Sequence, residues 1–347
     1  MNKAQECAQE CAQECAGDST THSARDSADD AAIETDALQK TYGATRALDG
    51  VSLRVARGEV FGLLGPNGAG KTTFVRLLST LIRPTGGRAV VLGHDIVAQA
   101  AQLRRRIALT GQFASVDEEL TGRENLLLLA RLLGLTGSAA RGRCDELLEA
   151  FDIAAAARRP VSGYSGGMRR RLDIAASMIT RPDLLFLDEP TTGLDPRARA
   201  DVWAITRQLA RSGTTILLTT QYLEEADQLA DRIAVIDHGR VIAQGTAAQL
   251  KARIGSGVLR LTLHDPDGAA RAGSVAQSFD LAAHQEDDPR MLAIPLPDAD
   301  AAVPLLAALA EQNIALVDFA YGQPTLDAVF FALTGHGARP DQEGTPA

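Results

Sequence analysis

The sequence predicts an α/β fold built on a parallel sheet, followed by a second, smaller α/β unit. Three observations carry this. From residue 33 to about residue 245, short apolar runs alternate with helical ones, and strands interleaved with helices need the crossovers that build parallel sheets. A glycine-rich loop joins one apolar run, EVFGLLG at 59–65, to a helical stretch, TTFVRLLSTLI at 72–82. The chain has 347 residues, whereas a single core rarely grows beyond about 250–300, so two are expected.

Taken in order, the chain opens on AQECAQECAQECA at 4–16, a four-residue repeat, followed by a Ser/Asp/Ala-rich stretch to about residue 30. Low complexity and charge predict a disordered tail over 1–32. Cys7, Cys11 and Cys15 would line one helical face, but the outer two would then stand about 12 Å apart along the axis. Thiolates that share one zinc bind at about 2.3 Å each, so three on one straight helix do not converge. A dispensable tail is the reading favoured over a metal site.

Within 33–250, the run at 59–65 reads as a strand and 72–82 as a helix. Helices are expected at 124–133 and 143–151, and buried strands at 184–187 and 215–219. Residues 233–237 and 240–243 form an expected hairpin that turns at His238-Gly239. Beyond a joint near 251–257, VLRLTL (258–263), MLAIPL (291–296) and IALVDFA (314–320) read as strands, with helices at 304–311 and 325–333. These define a small C-terminal α/β domain over 251–335 and a tail at 336–347.

Composition excludes several function classes. The longest apolar run, 126–135, is interrupted by Arg131, far short of the roughly 20 residues that span a bilayer. The N-terminal stretch lacks an apolar secretory core, and three of the four cysteines crowd into the first fifteen residues, which is no disulfide framework and fits a reducing cytoplasm. The net charge of -9 is uneven: -5 over 1–30 and -7 over 251–347, leaving +3 for the middle. A mildly cationic centre suits a small anionic ligand, and an acidic whole with few aromatics argues against a nucleic-acid partner.

The anion site is explicit. Gly65-Pro66-Asn67-Gly68-Ala69-Gly70-Lys71-Thr72 fits G-x4-G-K-[ST] between a strand and a helix. Glycines let backbone N–H groups turn inward as a nest, and the following helix points its positive end at the same place. Lys71 can reach β- and γ-phosphates, and the Thr72 hydroxyl can ligate Mg²⁺. Downstream, LLFLDE at 184–189 is an apolar strand ending in two carboxylates. Asp188, at the carboxyl edge of a sheet, suits Mg²⁺, and Glu189 suits polarising a water for in-line attack. A solvated acidic turn is the plainer reading of the pair alone; beside Lys71 it recedes.

Tyr164-Ser165-Gly166-Gly167-Met168, followed by Arg169, Arg170 and Arg171, resembles the signature motif of ABC ATPases, which usually carry Leu and Gln where this chain has Tyr164 and Met168. Tyr42 is similar to the aromatic that stacks on adenine, Gln112 to the Q-loop glutamine, and Gly193-Leu194-Asp195 to the D-loop. Alone, Tyr42 reads as packing and Gln112 as a surface residue; joint order and spacing raise them. The resemblance covers roughly 33–249 and implies a P-loop NTPase of the ABC type: a RecA-like parallel-sheet core plus a helical subdomain. It implies ATP held by Tyr42, by the loop through Gly65, Pro66, Asn67, Gly68, Ala69, Gly70, Lys71, Thr72 and Thr73, and by Ser165, Gly166, Gly167 and Asp195. Mg²⁺ is implied at Thr72, Gln112 and Asp188, and hydrolysis through Glu189, Gln112 and position 221.

At position 221 the family's switch histidine is replaced by Gln221, which still donates a hydrogen bond but cannot become cationic near neutral pH. Together with YSGGMRRRLDIA (164–175) and PTLDAVFFALTG (324–335), this resembles the daunorubicin/doxorubicin-resistance type of ATP-binding subunit. That implies a homodimer of ATPase subunits, a separate ABC-2-type integral membrane permease, and residence at the cytoplasmic face of a bacterial membrane. The expected function is ATP-powered export of a drug or lipophilic compound. The alternatives are a soluble ABC-type ATPase, disfavoured by a single cassette and the short span from Lys71 to Ser165, and a low-turnover nucleotide-binding regulator.

Overall fold

The computed structural model describes residues 31–111, 116–252 and 257–322, together with 326, 329 and 330. The first layer is antiparallel: β1 (Ala31–Tyr42), β2 (Thr45–Ala56), β4 (Gly86–Val91) and β5 (His94–Asp95), in the order β2-β1-β4-β5. Between them in sequence come β3 (Val60–Leu64) and α1 (Lys71–Leu78). A short helix, α2 (Ala100–Leu103), leads to β6 (Ile107–Thr110). A helical group follows, α3 (Gly122–Leu132), α4 (Gly137–Ala150) and α5 (Gly166–Ser177). Then come β7 (Leu184–Asp188), α6 (Pro196–Arg211), β8 (Thr215–Thr220), α7 (Leu223–Leu229), β9 (Arg232–Asp237), β10 (Arg240–Gly245) and α8 (Ala247–Ala252).

The central sheet has the order β10-β9-β3-β8-β7-β6. All its pairings are parallel except β9–β10, an antiparallel hairpin. Its inner strands β3, β7 and β8 are buried without alternation because both faces are covered. Leu185, Leu187, Ile216 and Leu218 pack toward the helical group with Leu126, Leu148 and Leu172. Their neighbours Leu184, Phe186 and Leu217 face the antiparallel layer and α1, against Leu38, Leu48, Val51 and Phe74. Successive side chains on a strand point to opposite faces, so one unbroken run serves two clusters.

Helix starts follow local chemistry. Thr121 caps α3 in a reciprocal capping box with Glu124, and Asp195 caps α6 through the Ala198 N–H, with Pro196 at the first helical position. The helix expected over 72–82 stops at Leu78, because Thr80 takes a left-handed φ of 62° and the N–H groups of Leu81 and Ile82 turn back to the Arg76 carbonyl. The antiparallel layer was not foreseen as such.

The C-terminal sheet runs β12-β13-β11-β14, from β11 (Gly257–Leu263), β12 (His284–Gln285), β13 (Met291–Leu296) and β14 (Leu316–Gly322). Helices α9 (Pro266–Ser278) and α10 (Ala302–Glu311) cover one face, burying Leu259, Leu261 and Ile294 against Ala272, Val275 and Leu305. Most of the expected helix at 325–333 lies outside the described residues. Leu326, Val329 and Phe330 are described, and they pack back onto Leu64, Leu223, Ile233 and Leu250. Among the described residues no helix is long and apolar enough to cross a membrane. Cys7, Cys11 and Cys15 lie outside the described residues.

The β9–β10 turn closes at His238 and Gly239, both with positive φ, 46° and 76°, as a two-residue hairpin of this twist requires. It also props the Gly65–Lys71 loop: the Gly239 N–H donates to the Ala69 carbonyl at 3.0 Å, and the Asp49 N–H donates to the Gly239 carbonyl at 2.8 Å. A Cβ at Gly239 would stand 2.7 Å from the Ala47 carbonyl oxygen. Gly239→Val is therefore expected to cost about 1–3 kcal/mol in stability, read as a lower urea midpoint at unchanged slope.

Candidate functional site

The loop from Gly65 to Lys71 leaves the carboxyl end of β3 at the centre of the sheet and enters α1. Its backbone runs close against neighbours: a Cβ on Gly65 would lie 2.3 Å from the Ile236 carbonyl oxygen, and one on Gly70 2.6 Å from that of Ala47. Gly70 takes a φ of 107° at the N-terminus of α1 with no side chain capping it, so the first N–H groups of the helix remain available to an anion.

Lys71 is the first residue of α1 and its side chain is only 4% exposed. Its Nζ donates to the carbonyls of Gly65 at 2.8 Å and Pro66 at 3.1 Å, and pairs with Glu189 Oε1 at 3.3 Å. Burial pushes the Lys71 pKa down, while the Glu189 carboxylate opposes that shift. A buried ammonium needs compensation, and this one has three oxygen partners.

The two carboxylates end β7, held by the strand beside it. Thr219 Oγ1 donates to Asp188 Oδ1 at 2.5 Å, and Thr72 Oγ1 donates to the same oxygen at 3.3 Å. The Glu189 N–H donates to the carbonyl and hydroxyl oxygens of Thr219, each at 3.1 Å. Glu189 carries a positive φ of 48°, a strained conformation for a residue with a Cβ and one that collects at functional sites. Gln221 directly follows β8, whose last residue Thr220 pairs with Leu64 and accepts the Gly65 N–H at 3.2 Å. Loop, carboxylates and Gln221 thus meet where β3, β7 and β8 end side by side.

Other predicted residues lie elsewhere. Tyr42 ends β1, half exposed, with the Lys40 ammonium 5.0 Å from its ring centroid. The β1–β2 hairpin carries it near the loop, since Ala47 backs Gly70. Ser165 caps α5, accepting the Met168 N–H at 3.2 Å, and a Cβ on Gly167 would lie 2.8 Å from Ala198. Tyr164 is buried in the helical cluster, its hydroxyl donating to the Ala156 carbonyl at 2.8 Å. Among the described residues, no hydrogen bond or ion pair joins residues 164–168 to the loop. Asp195 is engaged as the α6 cap. Gln112 lies outside the described residues.

Three further residues belong in this description. Thr219 steers Asp188 and orients Glu189, but a threonine ending an apolar strand carries no sequence signal. Arg170 and Glu225 are buried charges behind the site, but they sit in charged runs, Arg169–Arg171 and Glu224–Glu225, that carry no sequence signal of burial.

The sequence profile of the ABC transporter family matches residues 48–192. The daunorubicin/doxorubicin resistance ATP-binding protein DrrA of Streptomyces peucetius is 55% identical over 308 residues, covering 88% of this chain and 93% of the relative. The doxorubicin resistance ATP-binding protein DrrA of Mycobacterium tuberculosis is 49% identical, over 87% and 93%. The Nod factor export ATP-binding protein I of Paraburkholderia xenovorans is 44% identical, over 68% and 78%. Among solved structures, CbiO1 of Clostridium perfringens, part of the ABC transporter complex CbiONQ, aligns with a TM-score of 0.61 at 27% identity, over 64% of this chain and 91% of that one.

Lys71→Ala removes the cation at the mouth of the Gly65–Lys71 loop and leaves Glu189 without its ion pair. Affinity for ATP in a fluorescent-nucleotide titration is expected to fall by about ten- to a hundred-fold, the worth of a hydrogen bond to a charged group.

Proposed function

We infer the function from one premise: the chain belongs to the ABC transporter ATP-binding family, in its daunorubicin/doxorubicin-resistance branch. It binds and hydrolyses ATP, and it powers an exporter whose membrane permease is a separate partner. The observation that carries this reading is the Lys71–Glu189 ion pair in the throat of the glycine loop, beside Asp188 and Thr72.

The exported compound is a drug or lipophilic molecule by this proposal, supported by relatives named for daunorubicin and doxorubicin resistance. The permease is of the ABC-2 type, and the chain works at the cytoplasmic face of the membrane. Among the described residues no helix is long and apolar enough to cross a membrane, and we assign attachment to that permease.

The mechanism follows from the side chains. Loop N–H groups and the start of α1 receive the β- and γ-phosphates, and Tyr42 offers its exposed ring to the adenine. The Lys71 ammonium exchanges the Glu189 carboxylate for phosphate oxygens. Glu189, freed of its pair, accepts a proton from the attacking water. Gln221 donates its amide to a γ-phosphate oxygen. The Thr72 hydroxyl and Asp188 carboxylate form an all-oxygen donor pair suited to Mg²⁺, which keeps waters and phosphate ligands besides one or two protein oxygens. Gln112 is assigned as a further Mg²⁺ ligand from the family pattern. When bound, Mg²⁺ neutralises charge on the phosphates.

Two copies complete two sites in this reading. Ser165, Gly166 and Gly167 at the start of α5, with Asp195, face the nucleotide held by the other copy. This arrangement is supported by the start of α5, where Ser165 caps a second helix N-terminus suited to an anion.

The tests use phosphate release by the full chain. Glu189→Gln is expected to bind ATP with near-parental affinity, turn over slowly and elute as a dimer in ATP and Mg²⁺; a monomer there contradicts the sandwich. Gln221→Ala is expected to slow turnover by about one to two powers of ten, the loss of one hydrogen bond to a charged group. Gln221→His is expected to be tolerated and to add a rate dependence between pH ~6 and 7.5, where imidazole titrates and an amide does not.

A further inference from the structure

Glu225 has no part in the chemistry above, yet its side chain is fully buried, 0% exposed, on α7. Two donors from other elements converge on its Oε1: Thr191 Oγ1 at 2.9 Å and Trp203 Nε1 at 3.2 Å. Thr191 stands just after Glu189 and Pro190, in the turn that leads to Asp195. Trp203 belongs to α6, the helix that Asp195 caps. Glu225 lies in the first turn of α7, which begins two residues after Gln221, and the Thr220 hydroxyl beside Gln221 also favours its charged form.

The surroundings are charged and buried. Glu225 Oε2 is buried without a hydrogen-bond partner. Arg170 on α5 sends Nη1 to the Gly111 carbonyl at 2.9 Å, while its Nε and Nη2 are buried and unpartnered. Arg170 feels the negative charges of Asp173, Glu225 and Asp188, which offset part of its burial. Desolvation pushes Glu225 up, against the pull of Thr220, Thr191, Trp203 and Arg199. An apolar side chain of similar volume would fill this space without desolvation cost. What it could not do is accept from Thr191 and Trp203 together.

We propose that Glu225 is a positioning residue for ATP hydrolysis: through Thr191 and Trp203 it locks the segment after Glu189 to the helix that starts beside Gln221, so carboxylate and switch amide face the γ-phosphate as one unit. Glu189 is anchored on its other side by Thr219, which also holds Asp188. With the lock in place, both ends of the Glu189 turn are fixed. Without it, the turn and α7 are free to shift independently, and a displacement of even 1 Å at a reacting group is costly to rate. The proposal rests on the ATPase reading.

The test compares parent, Glu225→Ala, Glu225→Gln, Thr191→Val and Lys71→Ala in the full-length chain, by phosphate release against ATP concentration and by fluorescent-nucleotide titration. Glu225→Ala is expected to lower kcat roughly ten-fold or more while KM and nucleotide affinity stay within about two-fold. Glu225→Gln keeps an acceptor oxygen for both donors and is expected to recover most of the rate, a rescue that a purely structural role would not tie to kcat. Thr191→Val is expected to lower kcat with KM unchanged, and it decides the matter should Glu225→Ala not fold. Parental kcat in Glu225→Ala or in Thr191→Val overturns the proposal, as does a change confined to KM. Phosphate release that is the same in parent and Lys71→Ala overturns the ATPase reading and this proposal with it.

Discussion

The buried Lys71 ammonium is the constraint on which the rest of the site depends. An ammonium out of water is tolerated only among oxygens that hold it, and here these come from three directions: the carbonyls of Gly65 and Pro66 and the carboxylate of Glu189. Placing them requires β3, β7 and β8 to end in register, which the pairings Leu64–Thr220 and Asp188–Thr219 provide. Interdigitated packing on both faces of the central sheet holds that register, and a slip would misalign every oxygen around the amine.

Lys71 and Glu189 form a buried ion pair, and the proposed mechanism has phosphate oxygens replace the carboxylate as the partner of the amine. In the mechanism we propose, one residue serves as counter-ion before binding and as base afterwards. The strained φ of Glu189, bound at its N–H by both oxygens of Thr219, is consistent with a side chain held for chemistry rather than for packing.

Much of this was legible in the sequence. Gly65 to Thr72 announced a strand, an anion nest and a helix in one motif, and the apolar run at 184–187 ending in Asp188 and Glu189 announced the edge of a buried parallel strand. His238-Gly239 announced its hairpin, because that turn demands positive φ at both positions. The antiparallel layer was hidden: residues 31–56 mix charged and apolar side chains through several register shifts, which blurs a period of two. Helix α9 was missed although Asp265 and Pro266 are a legible start, since its face is mostly alanine and gives little hydrophobic contrast. Glu225 and Arg170 read as ordinary helix charges because burial is set by what packs over them, and α5, α6 and α7 meet only in three dimensions.

The central claim is that one chain carries two complementary half-sites, the Lys71 loop and the Ser165 helix start, which combine only across a two-fold axis. The direct measurement mixes a Lys71→Ala chain with a Ser165→Glu chain and reads phosphate release. Each variant alone has no intact composite site. Each mixed dimer has one, formed by the Lys71 loop of the second variant and the Ser165 helix of the first. The account predicts that the mixture regains activity, up to about a quarter of the parental rate for random pairing of independent sites. A mixture no more active than the sum of its two components would contradict it.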